Sequence, residues 1–373
     1  MNVEDSGEIF TGRTGGPFSS ATFPMACVSR SGRWLCAFRG APAKVPNAGQ
    51  HVLLTWSDDC GKTWRDPFAP FAPPAVEGKP GLFRFAGLTR LHGGRLLAAI
   101  NWVDHSQPDA PYFNEATEGL LDTRVFLSFS DDDGASWSKP QLMDTAPFSV
   151  PTPLTGPVVR FENDELACQV ELNKPYDDTE PWEHASVLLF STDEGNTWPR
   201  HCIVTQDPEN RIFYWDQRVS LLPDGRLFAA FWTYDRETST YLNIHTCMSD
   251  DRGYSWTALR DSKVAGQPGP IFTLEDRELV MPVVDRSGPP KILVRRSADF
   301  GVNWSLDDAV VVYDSAGATQ TREKHSMQDA WAEMYAFTVG LPHVASLPGG
   351  GGLLVYYAGD ATDATGIRWA KIL

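Results

Sequence analysis

Five stretches of the chain are longer and more charged than a simple connection requires: 101–123, 171–184, 205–217, 232–240 and 314–343. Connections in compact domains usually take about 4–6 residues, so segments of this size tend to carry function. The first holds Asp104, His105, Tyr112 and Glu118, with Arg124 just beyond it. RIFYWDQR (211–218) brings Tyr214, Trp215, Asp216, Gln217 and Arg218 together, and the last stretch holds Arg322, His325, Glu333, Tyr335 and His343. Two carboxylates can move protons at a glycosidic oxygen and a water, arginine forks a carboxylate, and Trp and Tyr rings stack on sugar faces. Asp104, Asp216 and Glu333 are therefore the candidate acids, with His105 and Tyr335 as further proton-moving groups. Arg39, Arg124, Arg218, Arg236 and Arg286 are candidates to hold an anion, with Trp215 and His343 as further substrate contacts.

Each candidate also has an ordinary structural use. Asp216 can cap a turn, Glu333 can support a helix over DAWAEMYAF, and Asp104 and His105 can bond each other in a loop. His343, after Pro342, can be a satisfied structural histidine, Trp102 and Trp215 can be core, and any single arginine can be a surface ion pair.

The charge of the whole chain narrows the ligand. Net charge is −16, which argues against nucleic acid or an anionic membrane surface, since both demand a basic footprint. An acidic ligand must then be held by a local arginine cluster against the overall field. No apolar run approaches the ~20 residues of a membrane span. The N-terminus MNVEDSGEIF is acidic and has no apolar core of a secretion signal; the expectation is a cytoplasmic protein, or a secreted one if a signal has been removed. Six cysteines without a C-x-x-C pair read as reduced core thiols, although Cys27 and Cys36 could face each other across a hairpin. Zinc-ligand spacing is absent, so no metal or cofactor is expected, although a calcium site built from loop oxygens would leave no such signature. Nothing in the sequence specifies an oligomeric state.

The elements that must position these residues are visible as repeats. A turn followed by a short apolar strand occurs six times: SGRWLCAF (31–38), GGRLLAAI (93–100), NDELACQV (163–170), DGRLFAAF (224–231), DRELVMPV (276–283) and GGGLLVYY (350–357). After each of the first five comes a second motif: SDDCGKTW (57–64), SDDDGASW (130–137), STDEGNTW (191–198), SDDRGYSW (249–256) and SADFGVNW (297–304). Its Asp accepts backbone N–H groups inside its own tight turn, its Gly takes positive φ at little cost, and its Trp drives a flat ring into the neighbouring core. The fifth copy has Asn303 where the others have Thr or Ser.

These turns resemble the Asp boxes of the sialidase (neuraminidase) superfamily, and the resemblance spans essentially the whole chain. It implies an all-β fold: a six-bladed β-propeller of about 62 residues per four-stranded blade, one domain over residues 1–373. The apolar repeat would be the second strand of each blade and the Asp box would join the third to the fourth. ATGIRWAKIL (364–373) leaves the last blade short, so the N-terminal segment GEIFTGR (7–13) is expected to add its outer strand and close the ring. The resemblance also places the pocket on the face opposite the Asp boxes, where the charge-rich segments fall.

The family's catalytic pattern is only partly kept. Thr22, in ATFPMA, stands where sialidases carry the first of their carboxylate-gripping arginines; Arg39 looks similar to the second and Arg286 to the third. The stretch GAPAKVPNAGQH has no carboxylate where the family has its acid/base Asp. Asp216 or Gln217 is the nearest match to the Glu that polarises the nucleophile, and Leu341 occupies the position of the tyrosine nucleophile, with His343 and Tyr335 nearby. Retaining sialidase chemistry in its usual form is therefore not expected. The leading expectation is a glycoside hydrolase for a terminal acidic sugar (sialic acid, or a related ulosonic or uronic acid) with a rebuilt site, inverting if its acid and base stand about 6.5–9.5 Å apart. The competing expectations are a uronate-polysaccharide lyase and a non-catalytic propeller that binds a glycan or protein.

Overall fold

The computed structural model describes residues 1–45, 49–274, 278–317 and 320–373. Asp276 and Arg277 of the DRELVMPV turn, and residues 46–48 of GAPAKVPNAGQH, lie outside the described residues. Each apolar repeat forms a strand: Trp34–Ala41, Leu96–Asp104, Leu166–Leu172, Leu227–Asp235, Leu279–Asp285 and Gly352–Ala361. These strands are buried almost end to end, because each has strands on both edges and a packed sheet on both faces.

The sheets are antiparallel and form a β-propeller. Gly81–Arg90, Leu96–Asp104, Thr123–Ser130 and Gln141–Leu142 pair in chain order, and the sheets over 159–206, 212–261 and 267–314 repeat the plan. A seven-stranded sheet joins the two ends of the chain, with Val3–Phe10 paired to Ala364–Ile372 and Ser20–Val28 touching that same strand at the Ser20–Thr365 pair. Apolar clusters fill each space between neighbouring sheets. Leu97, Leu127, Leu166 and Val187 pack between the second and third repeats, and Phe38, Leu53, Val355 and Trp369 between the last and the first. Burying one such side chain is worth about 1.5–3 kcal/mol, so each interface is held by many modest contributions.

The Asp boxes join third to fourth strands and share one geometry. In the first, Gly61 N–H donates to Ser57 Oγ (2.8 Å), and Thr63 donates its N–H to Asp59 Oδ1 (2.8 Å) and its hydroxyl to Asp59 Oδ2 (2.7 Å). These bonds hold the Asp59 carboxyl down at about 2. In the fifth copy, Asn303 Nδ2 donates to Asp299 Oδ2 (2.7 Å), an amide doing the work of the missing hydroxyl. Trp198 and Trp304 are buried between sheets, and Trp64, Trp137 and Trp256 are half-buried, each against a different apolar cluster.

All six cysteines are free. Cys27 pairs with Leu35 and Cys36 with Ala26, so the two thiols point to opposite faces of their hairpin and cannot bridge. DAWAEMYAF lies in a helix, Met327–Ala336, capped where Asp329 N–H donates to Ser326 Oγ (3.2 Å). No helix among the described residues is long and apolar enough to cross a membrane.

Candidate functional site

The five charge-rich segments all send side chains to one cavity of about 180 Å³, and no Asp-box residue lines it. Two devices aim its lining. The first is a bulge on the leading strand of a sheet: pairing slips between Thr22 and Met25, Phe83 and Phe85, Trp215 and Arg218, and Gly340 and His343. One residue inside each slip, Phe23, Arg84, Asp216 and Leu341, lines the cavity. Phe23, Asp216 and Leu341 sit at φ of +54°, +52° and +48°, strained values for side chains with a Cβ, as expected where a bulge re-aims a residue. The second device is the end of the apolar repeat. The residue directly after its first four copies is Arg39, Asn101, Glu171 and Trp232, and all four line the cavity.

The polar lining is dominated by cations. Arg39 is buried to 1% exposure; its Nε donates to Gln50 Oε1 (2.7 Å) and its Nη2 to the carbonyls of Ala43 and Lys44 (3.2 and 3.1 Å). Its Nη1 has no partner among the described residues. Arg84 stands 4.3 Å over the Tyr112 ring and 5.1 Å over Phe23, and its Nη1 is likewise buried and unpartnered. Burial, then the charge of Arg84, pushes Arg39 down to about 9. Lys44 Nζ donates to Met334 O (2.8 Å) and Phe337 O (2.6 Å), gripping the end of the helix. Burial and the charges of Arg286, Arg39 and Arg84 hold Lys44 well below its ordinary value. Arg286 donates through Nη1 to Gln267 Oε1 and through Nη2 to Val339 O, both at 3.0 Å, and lies 3.8 Å over Phe337.

Two carboxylates face these cations. Asp216 accepts from Gln267 Nε2 and pairs with Arg218 Nη2 at 3.3 Å; its side chain is 31% exposed. Glu171 places Oε2 3.7 Å from His184 Nε2, while its Oε1 is buried without a partner among the described residues. Tyr357 lines the cavity opposite Gly340 in register, beside Arg286. Burial pushes its hydroxyl up to about 12 against the pull of Arg286. Trp182, Trp215, Trp232 and Trp331 supply flat apolar wall.

Of the residues singled out from the sequence, Arg39, Trp215, Asp216, Arg286 and Tyr335 line this cavity, as do Thr22 and Leu341. Tyr335 presents a hydroxyl with no partner among the described residues. Arg218 stands just behind, bonding Asp216 and the Thr155 carbonyl. The remaining candidates are placed elsewhere. Glu333 lies on the helix outside the cavity lining, its buried carboxylate accepting from Arg322 N–H (2.6 Å) and pairing with Lys324 (3.2 Å). Asp104 accepts from Ser106 N–H (2.8 Å) and pairs with Lys79 (3.3 Å), while His105 donates its N–H to the Pro80 carbonyl; both border a separate small crevice. Arg124 bonds Asp122 and Glu77, and Arg236 pairs with Glu118 (2.7 Å). His343 is buried, its Nδ1 accepting from Ala26 N–H (3.1 Å), and burial followed by the charge of Arg218 drives it down to about 3. Trp102 is core, its Nε1 bonded to Pro74 O (3.0 Å).

Sequence reasoning missed Arg84, Lys44, Glu171 and Tyr357. Arg84 breaks the alternation of GLFRFAGL, which signals a bulge, and Glu171 occupies the same repeat position as Arg39.

Residues 109–332 match the BNR repeat-like domain family, and the chain belongs to that family. Three solved structures share its fold across nearly the full length of both chains. A protein of unknown function from Dyadobacter fermentans is 20% identical, covers 100% of both chains and superposes with a TM-score of 0.73. The intramolecular trans-sialidase of Ruminococcus gnavus is 13% identical over 100% of this chain and 98% of its own, with a TM-score of 0.65. The α-L-arabinanase of Penicillium chrysogenum is 14% identical over 100% and 98%, with a TM-score of 0.63. No curated protein matches the sequence.

Proposed function

We propose that this protein is a glycoside hydrolase acting on an acidic sugar, with Glu171 and Asp216 as its proton-moving pair. The fold underneath is read as one six-bladed domain over residues 1–373. The seven-stranded sheet is then two blades touching at Ser20–Thr365, and Val3–Phe10 is the outer strand that closes the ring. One observation carries the functional reading. Arg39 and Arg84 bring buried guanidinium donors, unpartnered among the described residues, to the same cavity as a carboxylate, Glu171, with an oxygen that likewise has no partner among them. Burying such groups without partners is costly, so a ligand that is both acidic and hydroxylated completes them.

On this reading the substrate's acidic group lies against Arg39 and Arg84, and its ring against the tryptophan walls. One carboxyl group protonates the leaving oxygen and the other takes a proton from water. A separation of about 6.5–9.5 Å between the working carboxyls accommodates that water and inverts the anomeric centre; about 5–5.5 Å suits a covalent intermediate. Tyr357 stands on the strand next to Leu341, so a tyrosine hydroxyl is available close to where the sialidase resemblance expects one. Relatives of this fold that act on sugars include the trans-sialidase and the arabinanase, which agrees with a sugar ligand. A binding-only role is favoured by one feature: Asp216 already has Arg218 and Gln267 as partners, as a structural carboxylate would.

Mass spectrometry of ulosonic-acid and uronic-acid glycosides after incubation separates the readings. Hydrolysis gives products that together exceed the substrate by one water. Glu171→Gln and Asp216→Asn are expected to lower turnover by about 10²–10⁴-fold with melting temperature little changed. Turnover unchanged in both variants overturns the residue assignment. Products summing to the starting mass mean a lyase, and a bound but intact sugar means a binding module.

A further inference from the structure

We propose that the ligand of this cavity is a dianionic sugar, one carrying a second acidic group besides its carboxylate. This rests on the reading of the cavity as an acidic-sugar site and concerns how much charge that site is built to receive. Arg39, Lys44, Arg84 and Arg286 line the cavity, and only Glu171 and Asp216 oppose them among the described residues. Asp216 is already matched by Arg218, which approaches it from behind the lining. Glu171 is then left against four lining cations, of which Arg286 also feels the charges of Asp216 and, from outside the lining, Glu333. In a chain of net charge −16 this local surplus is a built feature, not a reflection of composition.

The cations are also unrelieved by one another's partners. Those of Arg39, Lys44 and Arg286 are neutral acceptors: the Gln50 amide, the Ala43 and Lys44 carbonyls, the Met334 and Phe337 carbonyls, the Gln267 amide and the Val339 carbonyl. Arg84 rests on aromatic faces. Burial first, and then the charges of neighbouring cations, push Arg39 and Lys44 down, as expected when positive charges crowd together. A single carboxylate neutralises one of the surplus charges and leaves the others facing each other. Two anionic groups do better, and the donors are split to receive them. Arg84 stands over Phe23 and Tyr112, while Arg286 and Lys44 lie against Phe337, with Lys44 also 5.6 Å over Tyr357. The second group can be a phosphate on the same sugar or the carboxylate of an adjoining uronate, and the charge requirement is common to both.

Titration calorimetry on the whole protein at about pH 5, where a phosphate monoester (second pKa about 6) carries about one charge, tests this with glucuronic acid as the single-charge probe and two double-charge probes, digalacturonic acid and glucuronic acid 1-phosphate. The dianions are expected to bind about tenfold or more tighter than glucuronic acid at low salt, with a steeper loss of affinity as ionic strength rises. Arg39→Gln and Arg84→Gln should each erase most of that preference. The wild-type comparison alone decides the matter if either variant fails to fold. Which dianion wins tells ester phosphate from adjoining uronate. Glucuronic acid binding as tightly as both dianions overturns the proposal, as does the absence of binding by either dianion. A dianion that binds but is never hydrolysed leaves this inference standing and removes the hydrolase reading instead.

Discussion

Gly340 packs directly against two residues of the cavity wall, Arg286 and Tyr357. A Cβ built there lies 2.7 Å from Arg286 Nη2, 2.9 Å from the Tyr357 hydroxyl and 3.1 Å from Tyr357 Cε1. Contacts under 3.0 Å must be relieved, and the groups involved cannot simply swing aside. Arg286 is buried and fixed by bonds to Gln267 and Val339, and Tyr357 is 3% exposed. Gly340→Ala therefore forces a choice between lengthening the Arg286–Val339 bond and displacing the tyrosine ring. Overpacking of this kind costs about 1–3 kcal/mol. Unfolding entropy is about 2.1 cal/mol/K per residue, so over 373 residues each kcal/mol moves the melting temperature by about 1.3 °C. The expected loss is about 1–4 °C by scanning calorimetry. The same shift misplaces Arg286, so uronate affinity should fall by about tenfold or more, which is the loss of roughly one charge-assisted hydrogen bond. A variant with wild-type melting temperature and wild-type affinity would show that the Arg286–Tyr357 contact is slack, and the reasoning about this wall would be wrong.

Three further outcomes follow from the geometry. The Asp-box carboxyls are held low by bonds within their turns, to about 2 for Asp59 and Asp251. Their stabilisation is complete above the unfolded value near 3.9 and is lost as pH falls from about 4 toward 2, so denaturation midpoints measured through that window should drop, and less steeply in Asp59→Asn. His343 behaves as a buried neutral group: between its folded value of about 3 and an unfolded value near 6.5, the unfolded chain holds the extra proton. Stability should decline as pH falls through that range, with a slope of up to about 1.4 kcal/mol per pH unit, and His343→Asn, which keeps an acceptor for Ala26 N–H, should flatten it. Asn303→Thr should leave the fifth turn intact, whereas Asn303→Ala removes the bond to Asp299 and should cost about 0.5–1.5 kcal/mol in urea denaturation.

The scaffold was legible because its signals are local and repeated. An Asp box closes on its own side chains within eight residues, and the apolar repeat needs no knowledge of its neighbours to declare a strand. The cavity depends on features that local patterns hide. A bulge breaks the two-residue period, so Arg84 reads as one more strand residue and Tyr357 as the last letter of an apolar repeat. Partners outside any recognisable motif decided other cases. Lys324 occupies Glu333, Lys79 takes Asp104, and Ala26, 317 residues away, takes His343. Arg39 and Arg286 were reachable because each follows closely on an apolar repeat, and Asp216 because it falls in the charged and aromatic stretch RIFYWDQR.

The bulges have a consequence for how such a cavity diversifies. Phe23, Asp216 and Leu341 occupy left-handed backbone that costs about 1–3 kcal/mol for a residue with a Cβ, and the surrounding sheets enforce it. The backbone detour belongs to the blade and not to the side chain it presents. Each bulge therefore works as an interchangeable socket on an invariant frame. A library varied at Phe23, Arg84, Asp216 and Leu341 alone would resample the ligand preference of the molecule while every Asp box, and with it the folding information, stayed untouched.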